Sequence, residues 1–234
     1  MNHSSVRGRL AYLGPEGHER GREWFHVTIA PDGSRTMRSV AEIDDSEILR
    51  DVTLTVGPDW RPAESYVRVS VADLWVGTAW FRFDDRGATA EIDSPLLGQL
   101  TQRLPSSGRA PMFGAHQVAG DGWQAALLEP GESGPRRVEG ILISSPLPNG
   151  ASAPMLASTA MVAECLGPEQ ITTPAGAFDT LHFRFTPDGL GAEDVWVLPQ
   201  DLTLVRSVWG HYGTTYELVE LSHPDHPPTS GQTP

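Results

Sequence analysis

Four short β-rich runs, separated by proline and glycine turns, fill the C-terminal third of the chain and constrain its fold more than any other feature. They are TTPAGAFDTLHFRF (172–185), DVWVLP (194–199), LVRSVWG (204–210) and TYELVEL (215–221). Runs of β-branched and aromatic residues bounded by turn-forming residues are typical of antiparallel strands. The sequence therefore predicts a meander in this part of the chain.

The first 95 residues continue this pattern almost without interruption. Proline, glycine and aspartate set the dihedral angles of tight turns, and they stand at PDGS (31–34), GPDWRP (57–62), Gly77 and DDRG (84–87). The strands predicted between these turns are Trp24–Ala30, Arg35–Ile43, Ile48–Val56, Tyr66–Val76, Thr78–Phe83 and Ala88–Ile92. This spacing favours one large antiparallel sheet over βαβ units.

The spacing of apolar residues changes in the middle of the chain. Residues 96–104 place apolar side chains at 96, 97, 100 and 104, which is helical spacing, and residues 113–128 fit a second short helix. Strand patterns resume at Glu139–Ser144 and Leu156–Leu166. A large sheet must bury one face. We therefore expect a mainly β protein with a single large curved antiparallel sheet, a half-barrel or partly open barrel, and one or two short helices inserted in the middle.

Length and charge narrow the function classes. The 234 residues suit one domain, 1–221, followed by a proline-rich polar tail, 222–234, that we expect to be disordered. The formal charge of −13 disfavours nucleic acid and anionic membranes as partners. The N-terminus has no apolar leader and no apolar run is long enough for a membrane span, which predicts a cytoplasmic protein without membrane insertion. The single cysteine, Cys165, reads as a small strand residue.

A set of residues in the C-terminal third resembles the closing segment of an uncharacterised bacterial domain-of-unknown-function family. The matching positions are Thr173, Pro174, Gly176, Phe178, Thr180, Trp196, Pro199, Val205 and Arg206. That family is similar to the half-barrels of periplasmic lipoprotein-localisation factors. The resemblance implies a curved sheet that cradles a greasy ligand.

Tryptophans in separate segments are candidate binding residues. A curled sheet could bring Trp75, Trp80, Trp123 and Trp196 to one cavity, as an aromatic wall for a flat or polycyclic hydrophobe. The alternative is that these indoles are ordinary core residues.

Alternating strands offer a second group of candidates. Tyr66 and Arg68 share one face of their strand, and His182 and Arg184 share one face of theirs. If the polar face is concave, Arg68, Arg184 and His182 could anchor a carboxylate or phenolate. If the aliphatic face is the core, they face solvent.

The stretch HQVAGDGW (116–123) is the one most suggestive of catalysis. His116 could act as a general base oriented by Asp121 on a glycine-rich loop. The alternative is an ordinary Asp-Gly turn with a capping histidine. His223 and His226 lack a third metal ligand, and no nucleotide, zinc-protease or hydrolase motif is present, so we expect no metal and no cofactor.

Two functional hypotheses follow. In the first, the concave interior binds a hydrophobic or aromatic small molecule. In the second, the same scaffold is a cofactor-independent isomerase, lyase or hydratase that acts on a hydrophobic metabolite, with His116 and Asp121 as acid and base. A homodimer is left open.

Overall fold

The computed structural model describes residues 3–106, 108–129, 131–132 and 134–224. Fifteen strands lie in these ranges and form one sheet. They are β1 (Ser4–Leu13), β2 (Glu19–Ile29), β3 (Arg35–Ile43), β4 (Ile48–Val56), β5 (Pro62–Val71), β6 (Leu74–Asp84), β7 (Gly87–Ser94), β8 (Gly98–Pro105), β9 (Phe113–Gly114), β10 (Arg136–Ile143), β11 (Ala157–Thr173), β12 (Gly176–Pro187), β13 (Glu193–Val197), β14 (Leu204–Trp209) and β15 (Thr214–Ser222). Three 3₁₀ helices, Asp44–Ser46, Val118–Leu127 and Gly210–Tyr212, complete the described elements.

The sheet is a meander in which the first strand, β1, pairs with the last described strand, β15, in the interior of the sheet. Strands β8 to β1 follow one another in reverse order, β1 pairs with β15, and β15 to β9 continue in reverse order. The free edges are therefore β8 and β9, both from the middle of the chain, and the sheet is not closed into a barrel. The β9–β10 pair is parallel and the other pairs are antiparallel, so the sheet is mixed.

One side chain reaches from the β8 edge to the other half of the sheet. The amide of Gln102 donates from Nε2 to the carbonyl of Leu156 (2.7 Å), and its Oε1 accepts from the Leu156 N–H (2.7 Å). Leu156 directly precedes β11. The Gln102 amide thus imitates a backbone pair where the strand ladder is interrupted.

The aliphatic face of the sheet is its interior. In β4, burial alternates along the strand so that Ile48, Arg50 and Val52 point inward, while Leu49 is exposed. The same alternation buries Val67 and Val69 of β5 and leaves their neighbours outside. A side-chain period of two along each strand produces this separation of faces.

The interior contains the 3₁₀ helix Val118–Leu127, here called the inner helix. Its buried residues include Val118, Ala119, Trp123 and Gln124, and it packs near β2, β13 and β14. The predicted single curved sheet with a short inserted helix is therefore confirmed.

Two local predictions are wrong. Residues 96–104 do not form a helix, because β8 runs from Gly98 to Pro105 and pairs with β7. The predicted strand Tyr66–Val76 is also interrupted. The chain turns at Ala72 and Asp73, whose φ values are 50° and 60°, and Gly77 lies inside β6. Strand β1 was not predicted at all.

The C-terminal boundary lies slightly beyond the predicted one. Strand β15 ends at Ser222, and His223 is buried with its Nε2 2.9 Å from Asp201 Oδ2. The remainder of the predicted tail, 225–234, together with His226, lies outside the described residues.

Gly176 opens β12 with a φ of +141°, in a region that side chains with a Cβ rarely adopt. We expect Gly176→Val to lower the free energy of unfolding by about 1–3 kcal/mol because of this backbone strain. Ala177→Val is the matched control, since Ala177 is exposed on the same strand and valine suits strands. Urea denaturation of both variants gives the comparison. Equal stabilities would show that the strain is absent.

Candidate ligand cavity

A cavity of about 640 Å³ lies inside the sheet. Its walls come from strands in both halves of the sheet, from the inner helix and from the segment 145–149. Much of the lining is aliphatic, proline or aromatic. These residues include Ile43, Met112, Val118, Ile141, Ile143, Pro146, Leu147, Pro148, Met161, Leu190, Trp209 and Tyr212.

Polar residues also border the cavity. They are Tyr12, Arg20, Arg50, His116, Asp121, Gln124, Glu193 and Tyr216, among others. Two of the charged residues on strands lie in the inward phase: Arg50 alternates with Ile48 and Val52 on the inner face of β4, and Glu193 shares the inner face of β13 with Val195. The fold therefore buries charge at these positions instead of exposing it.

Glu23 joins the sheet to the inner helix. Its Oε2 accepts hydrogen bonds from the Tyr12 hydroxyl (2.5 Å) and from the Val118 N–H (2.8 Å), and its Oε1 accepts from the Ala119 N–H (3.2 Å). Burial raises the pKa of Glu23, although these three donors oppose the shift. The carboxyl thus satisfies two N–H groups at the start of a buried helix.

Arg50 is the buried cation of this region, with only 3% of its surface exposed. Its two Nη atoms donate to the carbonyl oxygens of His116 and Asn149. In the strand register Ala41 lies between Glu23 and Arg50. The small alanine side chain leaves room for the two charged side chains to approach.

Asp121 and Glu193 form a pair of carboxyls bridged by one amide. Gln124 Nε2 donates to Asp121 Oδ1 (3.1 Å) and to Glu193 Oε2 (3.4 Å). Ser207 also donates to Glu193. Burial raises the pKa of both carboxyls, and the neighbouring Glu193 raises that of Asp121 further, because two like charges in an apolar site cannot both ionise easily.

His116 is held by its surroundings in the neutral form. Its φ is +62°, its Nδ1 lies 3.0 Å from Ser144 Oγ, and burial with the nearby Arg50 lowers its pKa to about 3. The sequence suggested that Asp121 orients His116. In the structure Ser144 contacts the imidazole and Gln124 contacts Asp121, so that proposed pairing is not formed. Both residues do border the cavity.

The other predicted binding residues on β5 and β6 lie away from the cavity. Tyr66 and Trp80 are each 43% exposed on the outer face, and Arg68 stacks over Trp75 (5.8 Å), whose indole donates to Thr78. Trp123 is buried against Trp60, 5.8 Å between ring centroids. None of the four predicted wall tryptophans lines the 640 Å³ cavity.

His182, Arg184 and Trp196 form an outer-face cluster on β12 and β13. The His182 and Trp196 rings stack at 4.3 Å, and Asp194 accepts from both His182 (2.9 Å) and Arg184 (3.0 Å). The polar face of β12 is therefore the outer one. Sequence reasoning missed Tyr12, Arg50, Gln124, Glu193 and Tyr216 at the cavity. Arg50 and Glu193 could have been recognised from the sequence, because each stands two positions along its strand from an apolar residue of the inner face.

Among the described residues, no group of three or more histidine, cysteine, aspartate or glutamate side chains is arranged to hold a metal ion. No helix in the same ranges combines the length and apolar character that crossing a bilayer requires.

Comparison with known proteins identifies similar folds. No protein-family model and no curated protein matches the chain. A solved β-barrel-like protein of domain of unknown function DUF1849 from Brucella abortus matches with a TM-score of 0.58 at 11% identity, covering 94% of this chain and 97% of that one. A DUF1089 family protein from Pseudomonas aeruginosa has a TM-score of 0.48 at 11% identity, covering 78% and 87%.

The first of these matches shows a shared fold and nothing further, given its low identity. It extends over nearly the whole chain, whereas the sequence resemblance was confined to the C-terminal third. Neither of these two structures is described as a lipoprotein-localisation factor. The chain thus has a β-barrel-like fold similar to that of a domain of unknown function.

Proposed function

We propose that the protein binds a hydrophobic small molecule in the 640 Å³ cavity. The observation that carries the proposal is the cavity itself, whose volume falls within the range of about 300–1,000 Å³ typical of ligand sites. Aliphatic and aromatic walls with a few buried polar groups are the usual composition of such sites. A β-barrel-like scaffold that surrounds a cavity is consistent with this role.

The aromatic contact in this proposal differs from the one that the sequence suggested. Trp209 and Tyr212 line the cavity, and their rings lie 5.8 Å apart. An apolar ligand against them would exclude water from both partners. Trp209 is therefore the natural optical reporter of binding.

A panel of aromatic and polycyclic hydrophobes tests the proposal. We expect a ligand that binds to shift or quench the tryptophan fluorescence and to raise the unfolding temperature, because it stabilises the folded state by mass action. Trp209→Phe should remove most of the spectral response. Trp80→Phe, on the outer face, is the matched control and should retain it. A panel that produces neither a spectral nor a thermal response would refute the proposed function.

An enzymatic role is the second candidate, because His116 and Asp121 border one cavity and have pKa values displaced in opposite directions. Asp121 would donate a proton and neutral His116 would accept one in an isomerase, lyase or hydratase reaction. For an enzyme, His116→Gln should lower turnover by roughly 10²–10⁴-fold with binding retained. For a binding protein, the variant should keep most of its affinity and no turnover should be found in the native protein.

The cytoplasmic location and a homodimer stay predictions.

A further inference from the structure

The titratable side chains around the cavity do not all have partners of opposite charge. Arg20 pairs with Asp45 (2.9 Å), and Asp188 pairs with Arg137 (2.7 Å). Arg50 and Glu23 lie two strands apart on the inner face, with Ala41 between them, and their opposite charges attract, as do those of Arg50 and Asp121. The two arginines that line the cavity, Arg20 and Arg50, thus each lie near a carboxyl group.

Asp121 and Glu193 remain after this pairing. In the described ranges of the chain, neither forms an ion pair with an arginine or a histidine. Both border the cavity. A second carboxyl beside the first makes the local charge more negative, and it does so where water is scarce.

Next to these two carboxyls, Gln124 has a buried hydrogen-bond acceptor that lacks a donor within the described ranges. Its side chain is buried, with 4% exposure, and lines the cavity between the two carboxyls. The Nε2 atom donates to both of them, which fixes the orientation of the amide. No donor in the described part of the chain reaches its Oε1. A buried acceptor without a donor is unfavourable, so this end of the cavity requires a donor.

Among the residues that the structure describes, no charged group near the two carboxyls donates a hydrogen bond to Gln124 Oε1. Asp194 on β13 and Glu23 on β2 are negative neighbours, Tyr216 on β15 is a neutral phenol, and Arg50 on β4 is the nearby cation. Both Nη atoms of Arg50 are engaged by carbonyl oxygens. A cation that could enter the cavity would meet acceptors that are already in position.

We propose that the cavity binds an amphipathic amine, with its ammonium group at the partly exposed Asp121, next to the fully buried Glu193 and the buried Oε1 of Gln124, and its apolar body against the aliphatic wall. This inference rests on the proposed function, since it names the ligand class for the same cavity. The protonated amine offers several N–H donors and a positive charge, which suits two carboxylates and an amide oxygen. A carboxylate ligand would be repelled there, and an alcohol has one donor and no charge.

Binding of a cation also changes the protonation of the two carboxyls. Burial keeps the two carboxyls protonated to higher pH than usual, whereas the ammonium favours their ionised form. The amine therefore displaces protons as it binds. Its affinity should increase as the pH rises, until the amine itself loses its proton near pH ~10.

The experiment compares n-octylamine, 1-octanol and octanoate by isothermal titration calorimetry on the full chain at neutral pH. We expect n-octylamine to bind roughly tenfold or more tightly than either of the others. Titration in buffers of different ionisation enthalpy should show net proton release. Asp121→Asn and Glu193→Gln should each weaken n-octylamine binding by roughly tenfold or more and alter 1-octanol binding by less than about twofold.

Asp51→Asn is the matched control. It removes the same charge from the outward face of β4, beyond the cavity lining, and should leave n-octylamine affinity within about twofold. Equal or tighter binding of 1-octanol or octanoate would overturn the inference and leave cavity binding intact. So would the absence of n-octylamine binding while hydrophobes of the panel bind. If a variant fails to fold, as judged by circular dichroism, the ligand preference and the proton release of the native protein test the proposal in its place.

Discussion

Glu23→Ala is expected to lower the free energy of unfolding by about 3–5 kcal/mol, the largest effect that we anticipate for a single substitution. The alanine leaves the Tyr12 hydroxyl and the Val118 and Ala119 N–H groups without their acceptor in a buried site. It also removes the carboxyl that opposes buried Arg50. The start of the inner helix and the inner face of the sheet should both lose order.

Urea denaturation monitored by circular dichroism measures this change. Glu220→Ala is the control, because Glu220 pairs with Arg9 on the surface and its side chain is 67% exposed. Its loss should cost less than about 1 kcal/mol. Glu23→Gln keeps one acceptor oxygen and should fall between the two. A cost below about 1 kcal/mol for Glu23→Ala would contradict this account of the buried network.

Asp121→Asn is expected to stabilise the unliganded protein, by about 1–3 kcal/mol on the alkaline side of neutrality. The folded-state pKa values of Asp121 and Glu193 lie above their unfolded values, so the folded protein binds more protons than the unfolded chain. Their contribution to stability is complete below about pH 4 and is lost as the pH rises into and beyond the neutral range. Asparagine removes one member of the pair and with it most of this loss.

The measurement is the difference in unfolding free energy between the variant and the native protein from about pH 4 to about pH 9. His116 acts in the opposite direction: its lowered pKa makes stability fall as the pH drops from about 6.5 towards 3. Because both proteins retain His116, most of its contribution cancels in the difference. A difference that does not grow with pH would show that Asp121 and Glu193 are not a buried, mutually repelling pair.

The strands were largely predictable because they obey a local rule. In β3 and β4 the alternation of apolar and polar residues and the intervening turn gave the observed bounds, Arg35–Ile43 and Ile48–Val56. Residues 96–104 were misassigned because a short run with few apolar side chains fits helical and strand spacing equally well. Hydrogen bonding to β7 decides between them, and that contact is not encoded in the local pattern.

The site was less predictable than the fold. His116 and Asp121 attracted attention through their glycine-rich sequence, and both border the cavity. Arg50 and Glu193 require knowledge of the sheet, since their charge becomes significant only once the inward face of each strand is known. The tryptophan wall was not found because Trp80 faces outward and Trp123 packs against Trp60. Indoles alone do not reveal which face is concave.

The pairing of β1 with β15 has a consequence for how the chain folds. Every other strand pair in the described sheet joins consecutive strands, whereas Arg9 on β1 contacts Glu220 on β15 across 211 positions. Closing so long a loop is entropically costly, so we expect hairpins in each half to form first and the β1–β15 ladder to form late. During synthesis on the ribosome, β1 therefore keeps an unpaired edge until β15 emerges, and we expect this edge to be prone to aggregation in the nascent chain.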